Sequence, residues 1–393
     1  MNVPLSLRIP AFRWFAVWQL VSQVGEAAQM VAINMVAFGG NHKGALAASV
    51  LLGFAPQALA GHWGGPIVDK FPRRVLMIGC LGVLTLLALG LSVLQSQHEL
   101  ALWALDSLQV LVGSTKGLYL VAEDALVQEI VPKKALSSAQ ALNSALVNSG
   151  LMLGGWLSTL VDLSQLFVIN AGSYLAIMLF LLRVKAGREV QLRRGMPASM
   201  REAREYLARA ENAQARWALR LCGIVTLFFA NGLVTKPLVG ADLFGGGNAY
   251  GLLTAANGIG VLIVMAFQAL WPTPATVHWL FIWSAQQCLF LIGYVAAPSL
   301  PMSMAFLATA CLGGGGLTNI SKVMVVKGAP SDIWGRLYGI VQMVYLGSLL
   351  CSNLVAMGVA ALWGTYAMGV GIYGVGGILV GVLWVFYTSR SPK

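Results

Sequence analysis

Charged residues are scarce in this chain. Only 10% of its 393 residues are Asp, Glu, Lys or Arg, against 58% hydrophobic, and a soluble fold would lack the polar surface to cover that much apolar material. Acids are the scarcer sign, 14 against 25 Lys and Arg, for a net charge of +11. Histidine is rarer still: His42, His62, His98 and His278 lie scattered near loop ends. The five cysteines, Cys80, Cys222, Cys288, Cys311 and Cys351, each sit inside an apolar run. Their spacing spells neither a disulfide framework nor a metal site, and they read as packing residues. Also missing are His-Glu-x-x-His, Gly-x-Ser-x-Gly and a Walker-type Lys. Bond-making catalysis therefore has no support, and no cofactor or metal is expected.

Long apolar runs fill the space that charge leaves. Mean hydropathy is +0.76, and a helix needs about 20 residues to cross a bilayer. Read one after another, the runs give twelve spans joined by short turns. The expected fold is an all-α polytopic membrane protein of 12 transmembrane helices. A pI near 9.6 suggests nucleic acid only until the charges are placed. With the N-terminus in the cytoplasm, all but three of the 25 Lys and Arg fall on the inner side. Lys43 sits outside, and Lys116 and Lys236 belong to spans. That asymmetry puts both termini in the cytoplasm and accounts for the basicity with no nucleic-acid partner. Arg8 and Arg13 lead into a span that carries Gln and Glu and is followed by no small-residue cleavage site, so no removable signal peptide is expected.

The segment Gly65-Pro66-Ile67-Val68-Asp69-Lys70-Phe71-Pro72-Arg73-Arg74 lies between two apolar runs. Asp69, Lys70, Arg73 and Arg74 stay hydrated only if both runs meet the same membrane face, so the segment reads as a charged turn closing a two-helix hairpin. The pattern Gly-x-x-x-Asp-Lys-x-x-Arg-Arg after the second span closely resembles the loop signature of the major facilitator superfamily, with Pro72 in place of the usual second glycine. Two further stretches resemble exporters of that superfamily related to the macrolide and enterobactin efflux proteins. One is Ala122-Glu123-Asp124-Ala125-Leu126-Val127-Gln128-Glu129-Ile130-Val131-Pro132, followed by Leu136 and Ala141-Leu142-Asn143-Ser144. The other is Gly245-Gly246-Gly247-Asn248-Ala249-Tyr250-Gly251-Leu252-Leu253 at the start of span 8. That glycine run joins two spans rather than following a strand, which excludes a nucleotide cradle. Gly335-Arg336 at the start of span 11 also resembles the family. Glu123 departs from it: many of those exporters carry Arg there, so a charge near the inner gate is reversed.

Polar residues inside spans carry the functional signal. Span 1, about Phe12 to Phe38, holds Gln19, Gln23 and Glu26 at i, i+4 and i+7, with Met30 continuing the stripe and Asn34 beyond. Such a stripe should face a watery cavity, and a carboxylate deep in a span usually marks an ion or substrate path. The plainer reading of Glu26 is a structural carboxyl hydrogen-bonded between packed helices. Span 4, about Leu100 to Ala122, aligns Gln109, Gly113 and Lys116. Lys116 lies too deep to snorkel and needs an anionic partner, for which Glu26 is nearest in depth. Span 3 is plainly apolar and reads as lipid-facing. Span 7 holds Thr226, Asn231, Thr235 and Lys236 ahead of Pro237, and span 10 holds Gly313 to Gly316, Thr318 and Lys322. Four consecutive glycines weaken a helix by about 1 kcal/mol each relative to alanine, which suits either a hinge or a tight crossing. Between the halves, Met200, Ala203, Leu207, Ala210 and Trp217 recur at helical spacing. They predict a surface helix on the inner leaflet, or else a solvated linker.

Pro132 and Pro330 stand 198 residues apart, about half the chain, as two parallel six-span halves require. The resemblance implies that arrangement: a six-helix bundle over 1–183, a cytoplasmic linker over 184–216 and a second six-helix bundle over 217–393. It implies a secondary transporter working by alternating access, with a cavity lined by spans 1, 4, 7 and 10. The expected roles follow. Glu26 and Lys116 couple protons, and Gln19, Gln23, Met30, Asn34, Gln109, Thr226, Asn231, Thr318 and Gln342 line the substrate cavity. Gly65, Asp69, Lys70, Arg73, Arg74, Asp124, Lys322 and Arg336 form the gating loops, with Asp124 matched to Lys322 by the repeat offset. Asp69 would sit at the N-terminus of span 11. The expected activity is proton-coupled efflux, as an antiporter, of a small amphipathic molecule across a bacterial inner membrane. Partners are the substrate, protons and membrane lipids, and the chain is expected to be a monomer. A lipid or lysolipid flippase of the same fold, a facilitator or importer, and a transport-dead receptor remain open beside it.

Overall fold

The computed structural model describes residues 8–38, 43–68, 71–97, 101–131, 136–183, 200–270, 274–329 and 334–390, and among them every regular element is helical. The chain divides into two compact units: Met1–Arg194 with Tyr250–Ala255, and Gly195–Ala249 with Ala256–Lys393. Among the described residues, seven stretches are long and apolar enough to cross a membrane on length and composition alone. Helices α1 (Pro10–Phe38), α2 (Lys43–Val68), α4 (Leu102–Ile130) and α5 (Leu136–Leu157) also exceed 20 residues each. With Tyr174, they supply the walls of the cavity described below.

In the first unit, α3 (Arg73–Ser96) and α6 (Leu163–Arg183) complete a set of six. Apolar burial between helices gains little over contact with acyl chains, so close backbone approach and polar bonds decide which helices pair. A Cβ on Gly113 would stand 2.1 Å from the Gly53 carbonyl oxygen, and one on Gly117 2.3 Å from that of Gln57. Helix α4 therefore lies directly on α2 along a Gly-x-x-x-Gly edge. Gly150 and Gly154 seat α5 on α1 in the same way, against Gln23 and the Val24 carbonyl.

Two sequence expectations change here. Helix α3 is not wholly lipid-facing: Met77, Leu81, Leu84, Ala88 and Leu91 form one buried stripe, while Val75, Val83, Leu86 and Val93 are exposed. A uniformly apolar helix gives no sequence sign of which face is inside. The charged turn is also shorter than ten residues, because α2 continues through Gly65 and Pro66 to Val68. Asp69 and Lys70 lie outside the described residues. Arg73 opens α3, and the Arg74 guanidinium donates to the Leu182 carbonyl at 2.7 Å, at the end of α6 where carbonyls lack helical partners.

In the second unit, the expected surface helix is short. Helix α7 (Met200–Ala208) gives way to a 3₁₀ turn at Ala210–Asn212, and Trp217 belongs to α8 (Ala213–Phe229). Ala203, Tyr206 and Leu207 are buried, so the apolar face of α7 is covered by protein rather than lipid. Tyr206 donates to the Lys327 carbonyl at 3.1 Å. Burial, and then the Glu211 carboxylate, push its phenol above the ordinary range and keep it a donor.

Span 7 is broken. Helix α8 ends at Phe229 and α9 (Gly232–Asp242) follows after Ala230 and Asn231. An interrupted helix in lipid needs substitute partners for its backbone; the Asn231 carbonyl accepts from Val234 N at 3.0 Å, and Asn353 adds to it. Its Oδ1 accepts from Val234 N at 3.1 Å and its Nδ2 donates to Ala230 O at 3.2 Å.

Beyond lie α10 (Gly247–Leu270), α11 (Val277–Ala296) and α12 (Leu300–Val326). The glycine run leaves α12 unbroken and serves a tight crossing: a Cβ on Gly313 would stand 2.5 Å from the Trp283 carbonyl oxygen, and one on Gly316 2.8 Å from the Trp283 ring. Helix α13 (Trp334–Arg390) is interrupted at Gly364, where φ is +81°, a value that favours glycine. The interruption divides it into spans 11 and 12.

Candidate functional site

One cavity in the first unit gathers the polar side chains of the spans. Its volume is about 190 Å³, and its walls come from α1, α2, α4, α5 and Tyr174 of α6. Gln23, Glu26, Met30 and Asn34 face it from α1, and Gln109 and Lys116 from α4. Phe54 and Gln57 of α2 and Val147 and Leu151 of α5 close the rest. Such a space admits several waters, at about 30 Å³ each. It falls short of the roughly 300 Å³ at which pockets for drug-sized ligands begin, so it suits water, a proton and one end of a ligand.

An ion pair spans this cavity. Lys116 Nζ donates to Glu26 Oε2 at 2.5 Å, with the lysine side chain 25% exposed and the glutamate 9%. The hydroxyl of Tyr174 lies 3.5 Å from the other carboxylate oxygen. The pair joins α1 to α4 by a charge-assisted bond, and a buried pair of this kind is costly to break from one side because the remaining charge stays unpaired.

Beside it runs a second polar network that the sequence reading missed. Gln19 Nε2 donates to Glu123 Oε1 at 2.9 Å, and Tyr119 donates to Gln19 Oε1 at 3.2 Å. Glu123 is only 2% exposed. It continues the face of Lys116 at i+7 and Tyr119 at i+4, a signal that was present in the chain. Ending span 4 at Ala122 hid it, since Glu123 and Asp124 looked like a hydrated helix end, whereas α4 runs on to Ile130. On α6, Asn170 donates to Gln29 Oε1 at 2.7 Å. Asn34 is buried and donates to Tyr250 Oη at 2.6 Å.

The remaining expected residues are not gathered into this cavity. In the second unit Thr226 and Asn231 are buried, and Asn231 accepts from the Tyr373 hydroxyl at 2.7 Å. Thr318 donates to the Gly314 carbonyl of its own helix at 2.8 Å. Lys322 is half-buried near the end of α12. The side chains of Asp124, Arg336 and Gln342, like Asp69 and Lys70 altogether, lie outside the described residues.

Comparison with known proteins agrees with this architecture. The sequence profile of the Major Facilitator Superfamily matches residues 15–276. The chain is 25% identical over 372 residues to an uncharacterized MFS-type transporter, YfiS, of Bacillus subtilis (strain 168), covering 88% of this chain and 85% of that one. Macrolide efflux protein A of Streptococcus pyogenes is 25% identical over 247 residues, 60% of each chain. Among solved structures, a POT family transporter in complex with a thioalcohol-conjugated peptide superposes with a TM-score of 0.73 at 14% identity, covering 97% of both chains. A point mutant of the nucleoside transporter NupG gives 0.70 at 12% identity, covering 98% of this chain and 99% of that one. At such identities the superpositions establish the fold alone.

Proposed function

The chain belongs to the major facilitator superfamily and is a secondary transporter, and from that premise we propose that it exports a small amphipathic molecule in exchange for protons. The observation that carries the proposal is the Lys116–Glu26 pair inside a cavity with room for water. Ionised, Glu26 holds α1 to α4 through the lysine. A proton on the carboxyl removes the attraction and frees the ammonium, so the two protonation states favour different helix arrangements. Gln23, Met30, Asn34 and Gln109 offer amides and a thioether to the polar and apolar parts of a cargo.

The outward direction is supported by the similarity to a macrolide efflux protein. Bacterial relatives and the inner-side excess of Lys and Arg support an inner membrane with both termini in the cytoplasm. Gly65 to Arg74, with Asp124, Lys322 and Arg336, is assigned to closing the inner side, and the working unit is the monomer.

A cargo chosen by an accumulation screen in pump-deficient cells, then followed in proteoliposomes with an imposed pH gradient, tests the coupling. Glu26→Gln should abolish gradient-driven movement while sparing counterflow exchange. Undiminished gradient-driven movement in that variant would remove Glu26 from the coupling and the proposal with it.

A further inference from the structure

Lys116, half-buried in the first unit, and Lys236, buried in the second, both lie deep in spans, and their surroundings differ in kind. Lys116 has Glu26. Lys236, on α9, is 5% exposed, and its ammonium has a single hydrogen-bond partner among the described residues, the neutral Asn257 Oδ1 of α10 at a long 3.4 Å. The same amide donates through Nδ2 to Cys311 Sγ of α12 at 2.6 Å. No carboxylate among the described residues reaches the lysine. Asp242 lies at the end of the same helix, about 9 Å along its axis, where it accepts from Thr365 at 2.5 Å.

An ammonium inside a membrane protein is expensive without an anion, and a methionine of similar length would avoid the cost. The one hydrogen-bond partner of Lys236 among the described residues is a neutral amide oxygen, so the positive charge is left for an anion to balance. Gly232, one turn earlier on the same helix, lies close against the lysine stem: a Cβ added there would meet Lys236 Cε at 3.5 Å, an ordinary contact distance. A buried cation with only a neutral partner favours an anionic group.

We propose that Lys236, with Asn257 beside it, binds the carboxylate or phosphate group of the transported molecule, so that the cargo is an amphipathic anion or zwitterion. This rests on the transporter reading above and narrows its substrate class.

The test uses the full-length protein in phosphatidylcholine nanodiscs, with dansylaminoundecanoic acid and its uncharged methyl ester as matched fluorescent probes. Wild type should bind the acid about tenfold more tightly than the ester, a difference of about 1.4 kcal/mol. Lys236→Gln should bind both alike, and Lys236→Arg should restore the preference, which loss of folding in the first variant would not permit. A wild type that fails to bind the acid or to tell it from the ester overturns the assignment, as does a Lys236→Gln protein that still discriminates. If added phosphatidylglycerol displaces the acid from wild type, the site belongs to a lipid headgroup and the cargo assignment falls. Proton coupling is read from Glu26→Gln in a separate assay, so failure here leaves the export proposal standing.

Discussion

Replacing Lys116 with methionine isolates the energetic weight of the buried pair. The substitution keeps length and apolar bulk but leaves Glu26, 9% exposed, with the Tyr174 hydroxyl at 3.5 Å as its one remaining partner among the described residues. Removing one partner of a buried pair costs about 3–5 kcal/mol. The 25% exposure of the Lys116 side chain lets water soften the loss, which puts the expected cost near the lower end, about 3 kcal/mol. Replacing both charges leaves no orphan, so Glu26→Gln with Lys116→Met should cost about 1 kcal/mol or less. For units of this size about 1 kcal/mol corresponds to 2–4 °C, so the single variant should lose about 6–12 °C of apparent melting temperature and the double less than half of that. Melting in detergent at one fixed scan rate keeps the comparison valid for a protein that unfolds irreversibly. A single variant that melts like wild type, or a double variant as unstable as the single, would refute the reasoning that the two charges sustain each other.

Two further outcomes follow from the backbone. Gly113→Val would place its Cβ 2.1 Å from the Gly53 carbonyl oxygen and force α2 from α4, so folded yield after detergent extraction should fall sharply, while Gly82→Val, with nothing within 4 Å, should extract like wild type. Asn353→Ala removes one of the two acceptors of Val234 N, which keeps the Asn231 carbonyl at 3.0 Å, and a donor to Ala230 O; at about 1 kcal/mol net for such a bond, hydrogen exchange at Val234 should accelerate by about fivefold, and unchanged protection would show that the break in span 7 holds itself together.

Composition determined much of this protein in advance. Scarce charge, long apolar runs and a one-sided distribution of Lys and Arg dictate a helical membrane protein, because a bilayer admits only segments that satisfy their own backbone and penalises charge wherever it is not needed. The stripes on α1 and α4 were legible for the same reason: a polar residue kept in a span at helical spacing marks the face turned away from lipid.

Tertiary structure decided the rest. Only the approach of α1 to α4 puts Lys116 on Glu26, and only the fold brings Asn353, more than a hundred residues away, to the break in span 7, where it bonds Val234 N and Ala230 O. Glu123 looked like a hydrated helix end until α4 was seen to continue past it. Which face of α3 is buried, and whether four glycines bend a helix or let Trp283 approach it, depend on what stands opposite. Local sequence fixes periodicity and cost along one helix, whereas partners across helices are chosen by steric fit between segments distant in the chain.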